Sequence, residues 1–148
     1  NDGRVAAGRV ETGAVVEYSL DTGRTWSERF AAVEGFNRLW VRQRDSAGNV
    51  SATSRPFCFL LDTRVAAPDV RLWHDTGASD TDRVTEDGRL LFRGIERDAW
   101  RRYSVDGGRS WRSTFRALPG ANMVRVRQID RAGNVSTDTV VQFELGPR

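Results

Sequence analysis

The chain alternates apolar and polar side chains over short runs, which is the pattern of half-buried β-strands. Residues 124–129 alternate in this way, with Val124, Val126 and Gln128 on one side, and residues 39–43 do the same earlier in the chain. No stretch of ten residues carries the apolar stripe of an amphipathic helix. The pattern therefore predicts a protein built from strands.

Turn signals divide these runs at regular intervals. They are Asp-Thr-Gly at 21–23, Asp-Gly-Gly at 106–108, and Ala-Gly-Asn at 47–49 and 132–134. Six or seven short strands within about 85 residues, with a turn roughly every 8–12 residues, are typical of an immunoglobulin-like β-sandwich. The expected fold class is therefore all-β.

The same motifs occur twice at a constant spacing of 85 residues. YSLDTGRTW at 18–26 returns as YSVDGGRSW at 103–111, and VRQRDSAGNVS at 41–51 returns as VRQIDRAGNVS at 126–136. A long and regular period of this kind marks tandem structural units. We therefore expect two tandem immunoglobulin-like β-sandwich domains.

The two copies are unequal in length. We expect domain 1 over residues 1–62, a linker over 63–67 and domain 2 over 68–148. The second copy carries residues 64–85 ahead of its Asp-Gly-Arg motif, whereas the first copy reaches that motif at its second residue. Domain 1 is therefore predicted to lack its N-terminal strand. Either the chain is a fragment cut inside the first copy, or a partner supplies the strand, because folded proteins usually avoid an open sheet edge.

Composition narrows the range of partners. All 23 basic residues are arginine, and against 20 acidic residues the formal net charge is only +3, so we expect no nucleic-acid partner. No apolar run reaches about 18 residues, so we expect no membrane insertion. The single cysteine, Cys58, rules out an internal disulfide. Its place between Phe57 and Phe59 is interpreted as that of a small apolar residue in a strand.

The residues that join the copies carry a resemblance to a known family. FLLDTRVAAPDVRLWHDTGASDTDRVTEDG at 59–88, followed by YSVDGGRSW and VRQIDRAGNVS, resembles the immunoglobulin-like repeats of large type I-secreted (RTX-type) bacterial biofilm adhesins. The resemblance implies an extracellular or cell-surface location, neighbouring repeats of the same chain as partners, and a role in reach and spacing. In several such families calcium at the domain junctions stiffens the array. This chain departs from the typical repeat in being rich in arginine and basic.

Acidic residues around the linker are candidates for that calcium. Calcium takes about six to eight oxygens from carboxylates, carbonyls and water, held by flexible loops. The spacing of the acidic residues is not that of an EF-hand loop, and the alternative is that they cap turns through their own backbone. The sequence predicts a calcium site at Asp62, Asp75, Asp82 and Asp87.

The hairpins at 19–26 and 104–111 fit the Asp-box pattern known from sialidases. Sialidase blades repeat at about 40–50 residues, which differs from the spacing here. We therefore interpret each hairpin as a structural turn, in which an Asp accepts backbone N–H bonds, a Gly takes a positive φ and a Trp packs beneath. The turn residues are Asp21, Gly23, Trp26, Asp106, Gly108 and Trp111.

Tryptophans beside arginines are typical of surfaces that contact proteins or sugars. The alternation places Trp40 on the face opposite Leu39, together with Arg42. Trp73 stands near the linker, and another tryptophan precedes two arginines at 100–102. The alternative is that a neighbouring repeat or a long loop covers these rings. We predict that Trp40, Trp73 and Arg42 contact a partner.

The sequence offers no catalytic constellation. The one histidine, His74, and the one cysteine, Cys58, give no support for a nucleophile pair or a zinc site. We therefore expect no enzymatic activity. The expected function is that of an extension and interaction module of a bacterial adhesin. The alternatives are a binding module for polysaccharide or protein, a filament subunit that exchanges strands, and a glycan-processing enzyme or its accessory domain, which only the Asp-box pattern favours.

Overall fold

The computed structural model describes residues 2–146 as an all-β chain. Within that range there is no helix, and so none that is long and apolar enough to cross a membrane. The chain divides into two compact units, residues 1–63 and residues 64–148. Residues 64–67, which the sequence assigns to a linker, thus belong to the second unit.

The first unit contains one antiparallel sheet. Its strands are β1 (Val15–Ser19), β2 (Gly35–Arg44) and β3 (Phe57–Leu61), in the order β1-β2-β3. The inner face of this sheet carries Leu39, which is fully buried, and a chain of ring contacts that runs from Tyr18 through Phe30 to Phe59. The alternation in residues 39–43 thus corresponds to the central strand of this sheet.

The second unit contains two sheets. A four-stranded sheet has the order β5-β9-β8-β7, in which β5 runs parallel to β9 and the other pairs are antiparallel. A separate antiparallel pair is formed by β4 and β6. The strands are β4 (Asp69–Leu72), β5 (Val84–Thr85), β6 (Leu90–Arg93), β7 (Trp100–Ser104), β8 (Gly120–Ile129) and β9 (Thr139–Leu145).

The core of the second unit lies between its two sheets. Val124 and Val126 of β8 are fully buried, and Val141 and Phe143 of β9 lie beside them. Val70 of β4 closes this core from the opposite sheet, with further apolar side chains of β4 and β6 packed around it. The second unit is therefore a sandwich of the immunoglobulin-like kind.

The first unit repeats half of this plan. Strands β1, β2 and β3 correspond to β7, β8 and β9, and within residues 2–63 no strand corresponds to β4, β5 or β6. The predicted lack of the N-terminal strand in domain 1 is confirmed. The loss extends further than predicted, because residues 5–8, which align with β6, form no strand. In the second unit β6 pairs only with β4, so without β4 the aligned segment has no backbone partner.

The last strand of the first unit is shifted by one residue. Leu39 pairs with Phe57, whereas its counterpart Val124 pairs with Val141, so the first copy has one extra residue before β3. This shift turns Cys58 away from the inner face, and its side chain is exposed. The interpretation of Cys58 as a packed apolar residue is therefore wrong, because a period-2 pattern loses its phase at an inserted residue.

Candidate functional site

The hairpin after β1 is held by an aspartate. The Asp21 carboxylate accepts hydrogen bonds from the backbone N–H of Thr25 at 2.8 Å and from its hydroxyl at 2.7 Å. These bonds lower the pKa of Asp21 from 3.8 to about 2. Gly23 adopts a φ of +86°, and its carbonyl accepts the indole N–H of Trp26 at 3.1 Å. The aspartate is a stable anion that organises a turn.

The hairpin after β7 repeats this geometry with the same atoms. Asp106 accepts the backbone N–H of Ser110 at 2.9 Å and also its hydroxyl, and these bonds lower its pKa well below the usual range. Gly108 has a φ of +96° and accepts the indole N–H of Trp111 at 3.1 Å. In both units the Trp ring is thereby fixed against the outer face of the sheet, where an arginine from the central strand covers it.

On the first unit Glu17 pairs with two arginines of this outer face. Its Oε2 lies 2.6 Å from Nε of Arg42 and its Oε1 lies 3.1 Å from Nε of Arg44. Hydrogen bonds from Arg42, and then from Arg44, lower the pKa of Glu17. Arg42 also lies over the Trp26 ring at 4.1 Å. Its guanidinium is therefore already engaged by groups of its own unit.

Trp40 lies on this outer face, opposite Ser19 of β1. Its exposed fraction is only 9%, and Arg38 covers its ring at 4.9 Å. Alternation thus placed Trp40 on the correct face, but the face of a side chain does not determine how deeply its neighbours bury it. Trp73 is half-exposed in the second unit and meets the His74 ring edge-on. Partner binding by Trp40, Trp73 and Arg42 stays a prediction.

The outer face of the second unit has an arginine in place of the central glutamate. Arg102 stands where the first unit has Glu17, directly across from Arg127. Within residues 2–146 neither guanidinium has a carboxylate within 4.0 Å. Arg127 lies over the Trp111 ring at 3.8 Å. Two residues before Arg102, on the same face, Trp100 is 56% exposed.

The sequence pattern showed a tryptophan ahead of two arginines but did not predict that Arg102 and Arg127 lie directly across from each other on neighbouring strands. The repeat itself could have indicated this pairing. Aligning the copies at their 85-residue spacing places Arg102 at the position of Glu17, which reverses the charge at a central place on the sheet.

Two of the predicted calcium ligands lie in one loop of the second unit. Asp75 accepts the backbone N–H of Arg83 at 2.9 Å through Oδ2. Its Oδ1 is buried and has no hydrogen-bond partner among the described residues. Asp82 uses both oxygens to accept backbone N–H groups, from Ser79 at 3.1 Å and Val84 at 3.0 Å. The loop is thus organised by its own aspartates.

The other two predicted ligands are placed differently. Asp87 is paired with Arg89, whose Nη2 lies 2.7 Å from Oδ2, and with His74 at 3.2 Å. The Arg89 guanidinium holds the pKa of Asp87 well below its usual range. Asp62 belongs to the first unit. Over residues 2–146 no three acidic, His or Cys side chains form a group that could hold a metal ion, and calcium binding at these four residues stays a prediction.

The first unit has an open groove on its inner face. The groove has a volume of about 570 Å³, and its lining includes Val16, Val41, Gln43 and Phe57. Phe57 is 50% exposed, whereas its counterpart Val141 is 8% exposed beneath the opposite sheet. Residues 4–10, which include the segment aligned with β6, also line this groove.

A glutamine in the central strand also differs between the units in its hydrogen-bond partners. Gln128 is fully buried; it accepts the Glu96 N–H and donates to the carbonyls of Ala66 and Gly94 at 2.8 and 2.9 Å. Its counterpart Gln43 accepts the aligned N–H, and its side-chain nitrogen has no partner among the described residues. The groove thus presents a donor that the second unit satisfies with two carbonyls, one in the segment leading into β4 and one directly after β6.

Comparisons with known proteins add one likeness. No family model matches the chain, and no curated protein matches it. Among solved structures, a similar chain is that of the fibronectin(III)-like modules of Clostridium thermocellum CbhA. It is 16% identical, with 95% of this chain and 82% of that chain covered, and the TM-score is 0.48. A score this low carries no information about the function of the present chain.

Proposed function

We propose that the chain is a non-catalytic extension module of a bacterial cell-surface or secreted adhesin, in which tandem sandwiches space an adhesive part from its anchor. The observation that carries this proposal is the conservation of backbone-holding bonds between the units. Asp21 and Asp106 close the same hairpin, and Asp45 and Asp130 close the same later turn through the N–H groups of residues four positions on. Repeated units of this kind suit a load-bearing array.

The state of the acidic groups supports a structural role. The pKa values of Asp21, Asp106 and Asp87 are all lowered, because hydroxyl, backbone or guanidinium donors stabilise their anions. A general acid needs the opposite shift, towards neutral pH. These aspartates are therefore suited to hold turns and not to donate protons.

Single-molecule stretching of the chain tests the proposal. Each unit should unfold as a separate force peak, with contour-length gains of roughly 20 nm for the first unit and roughly 30 nm for the second, at about 3.3–3.6 Å per residue. Val126→Ala, in the core of the second unit, should weaken only the longer event, and its counterpart Val41→Ala should weaken only the shorter one. Extension without resolved peaks would contradict a load-bearing function.

Calcium binding is a separate part of the proposal. Of the four candidate residues, Asp75 alone has a buried carboxylate oxygen left without a partner. Thermal unfolding in calcium and in a chelator decides the matter, with Asp75→Asn as the variant and Asp69→Asn, an exposed strand residue, as its control. A melting temperature that rises with calcium in the control but not in Asp75→Asn would support binding. If the unmodified chain melted at the same temperature in calcium and in the chelator, the calcium site would be excluded.

A second candidate function is the acceptance of a strand by the first unit. The half-exposed Phe57 and the Gln43 side-chain nitrogen, which has no partner among the described residues, favour it. In the second unit the counterpart Val141 is buried, and the counterpart Gln128 donates to Ala66, ahead of β4, as well as to Gly94. β-Augmentation of this kind joins chains or repeats through backbone bonds and apolar pockets.

Grafting provides the test. A copy of residues 64–85 fused ahead of Asn1 restores the spacing that the second copy has, so it should dock in the groove and slow hydrogen exchange in β2 and β3. The same graft with its Val70 counterpart changed to Asp should dock poorly, since that side chain enters the core in the second unit. Equal exchange in the grafted and ungrafted chains would exclude strand acceptance.

A further inference from the structure

We propose that the outer face of the four-stranded sheet in the second unit binds an acidic polysaccharide, through the guanidinium groups of Arg102 and Arg127 and the ring of Trp100. This binding surface goes beyond the extension role proposed above and does not depend on it. Three features of the face favour such a ligand: its uncompensated charge, its fixed geometry and its exposed aromatic ring.

The charge on this face is uncompensated. Arg102 and Arg127 are directly opposite on β7 and β8, and like charges at such positions destabilise a sheet. The first unit shows the stable alternative, since Glu17 pairs with Arg42 at 2.6 Å at the same two positions. Within residues 2–146, Arg102 and Arg127 have no acidic partner within 4.0 Å. A bound anion would relieve this repulsion.

The geometry of the face is fixed before any ligand arrives. Arg127 lies against the Trp111 ring at 3.8 Å, and that ring is itself anchored by its N–H bond to Gly108. Nε of Arg127 is buried and has no acceptor among the described residues. Its Nη groups have no acceptor there either. A guanidinium held flat in this way loses little freedom when it binds a carboxylate or sulfate.

The exposed Trp100 ring favours an anion that carries a sugar ring. Trp100 is 56% exposed and lies two residues from Arg102 on the same face, a separation of about 7 Å along the strand. An exposed indole offers an apolar platform for the C–H face of a sugar ring, while the neighbouring guanidinium groups pair with its acidic substituents. The face is an open sheet surface and not a pocket, so it suits an extended polymer.

The local character of the charge argues against nucleic acid. Nucleic-acid-binding surfaces neutralise many phosphates along a basic stripe. Here the formal net charge of the chain is +3, and the next arginine on the face, Arg125, already lies 3.7 Å from Asp138. Two uncompensated guanidinium groups beside an aromatic ring fit one or two acidic sugars.

Titration of the full chain with polygalacturonate at low salt tests the proposal, with neutral dextran and duplex DNA as comparison ligands. Binding should be observed with polygalacturonate, absent with dextran, and weakened by added salt. Arg102→Glu should reduce the affinity about tenfold or more. This variant recreates the ion pair of the first unit, so it should leave the melting temperature unchanged or raise it. Trp100→Ala should also weaken binding.

The matched control is Arg101→Glu, which changes the net charge equally on the adjacent residue. Arg101 points to the opposite face, where its guanidinium lies 4.5 Å from the Phe92 ring centroid. It should retain most of the affinity. Equal losses in Arg101→Glu and Arg102→Glu would overturn the site, because binding would then follow overall charge. Tighter binding to DNA than to polygalacturonate, or no binding to polygalacturonate, would overturn the choice of ligand.

Discussion

Asp21 accepts both donors of Thr25, and the pKa of its carboxyl falls to about 2 because those bonds favour the anion. A depressed pKa stabilises the folded state above the unfolded value, near pH 4, and that contribution is lost as the pH falls through the folded value. The hairpin therefore links the stability of the first unit to acid.

We expect the unfolding free energy of the first unit to fall between about pH 4 and pH 2, and Asp21→Asn to remove the part of this fall that belongs to the hairpin. Urea unfolding followed by NMR reports each unit separately and checks this. Asp106→Asn is the control, since it should leave the acid response of the first unit unchanged. If Asp21→Asn left the acid dependence of the first unit unchanged, other groups would be responsible for it.

A glycine in the Asp-Gly-Arg motif allows another residue-level prediction. A Cβ on Gly88 would lie 2.4 Å from the Cβ of Ala117, so the backbone must shift to accept it. Gly88→Ala should destabilise the second unit by roughly 1–3 kcal/mol. Gly8→Ala is the control, because a Cβ there meets no atom within 4 Å and the φ is not positive. Thermal unfolding of both variants would distinguish close packing from a general cost of losing glycine.

At the level of elements, the copies show how one strand depends on another. β6 exists in the second unit because β4 supplies its backbone partner, and the aligned residues 5–8 of the first unit form no strand. The central strands persist in both units, because β2 and β8 each pair on both sides. Strand formation here follows the availability of partners more than local propensity.

Substitution of the two central glutamines tests how far each central strand depends on its neighbouring segments. Gln128→Ala removes three hydrogen bonds from a fully buried site, leaving buried groups unsatisfied, and should destabilise the second unit by about 1–3 kcal/mol. Gln43→Ala removes one bond at a half-buried site and should cost the first unit less. Denaturant unfolding of the two variants gives the comparison. Equal losses of unfolding free energy would mean that the additional hydrogen bonds of Gln128, including the one to Ala66, do not stabilise the second unit.

The sequence predicted the features that are local and repeated. Alternation identified the central strands, and the 85-residue spacing predicted two sandwich domains with an incomplete first copy. The pattern could not predict the shift at Phe57, because an inserted residue changes the phase of a strand without changing its composition. It also missed the burial of Trp40, which depends on Arg38, and the Arg102–Arg127 opposition, which depends on strand register.

At the level of the whole molecule, the two units share a backbone plan and differ in their surfaces. The first unit has a single sheet with an open inner groove and an outer face on which Glu17 pairs with arginines, whereas the second has a core between two sheets and an outer face with two uncompensated arginines. The units are therefore suited to different contacts while keeping a common architecture. An array made from such units would vary its surface chemistry from one repeat to the next without altering its spacing.

The exchange of Glu17 for Arg102 has a consequence for ionic strength. The Debye length, beyond which charges are largely screened from one another, shrinks from about 8 Å at 0.15 M salt to about 3 Å at 1 M, so added salt weakens the attraction at Glu17 and the repulsion at Arg102 alike. Sodium chloride should therefore lower the melting temperature of the first unit and raise that of the second, as measured by unfolding that resolves the units. Arg102→Glu should make both units respond in the same direction. A move from dilute to saline surroundings would thus destabilise the first repeat and stabilise the second.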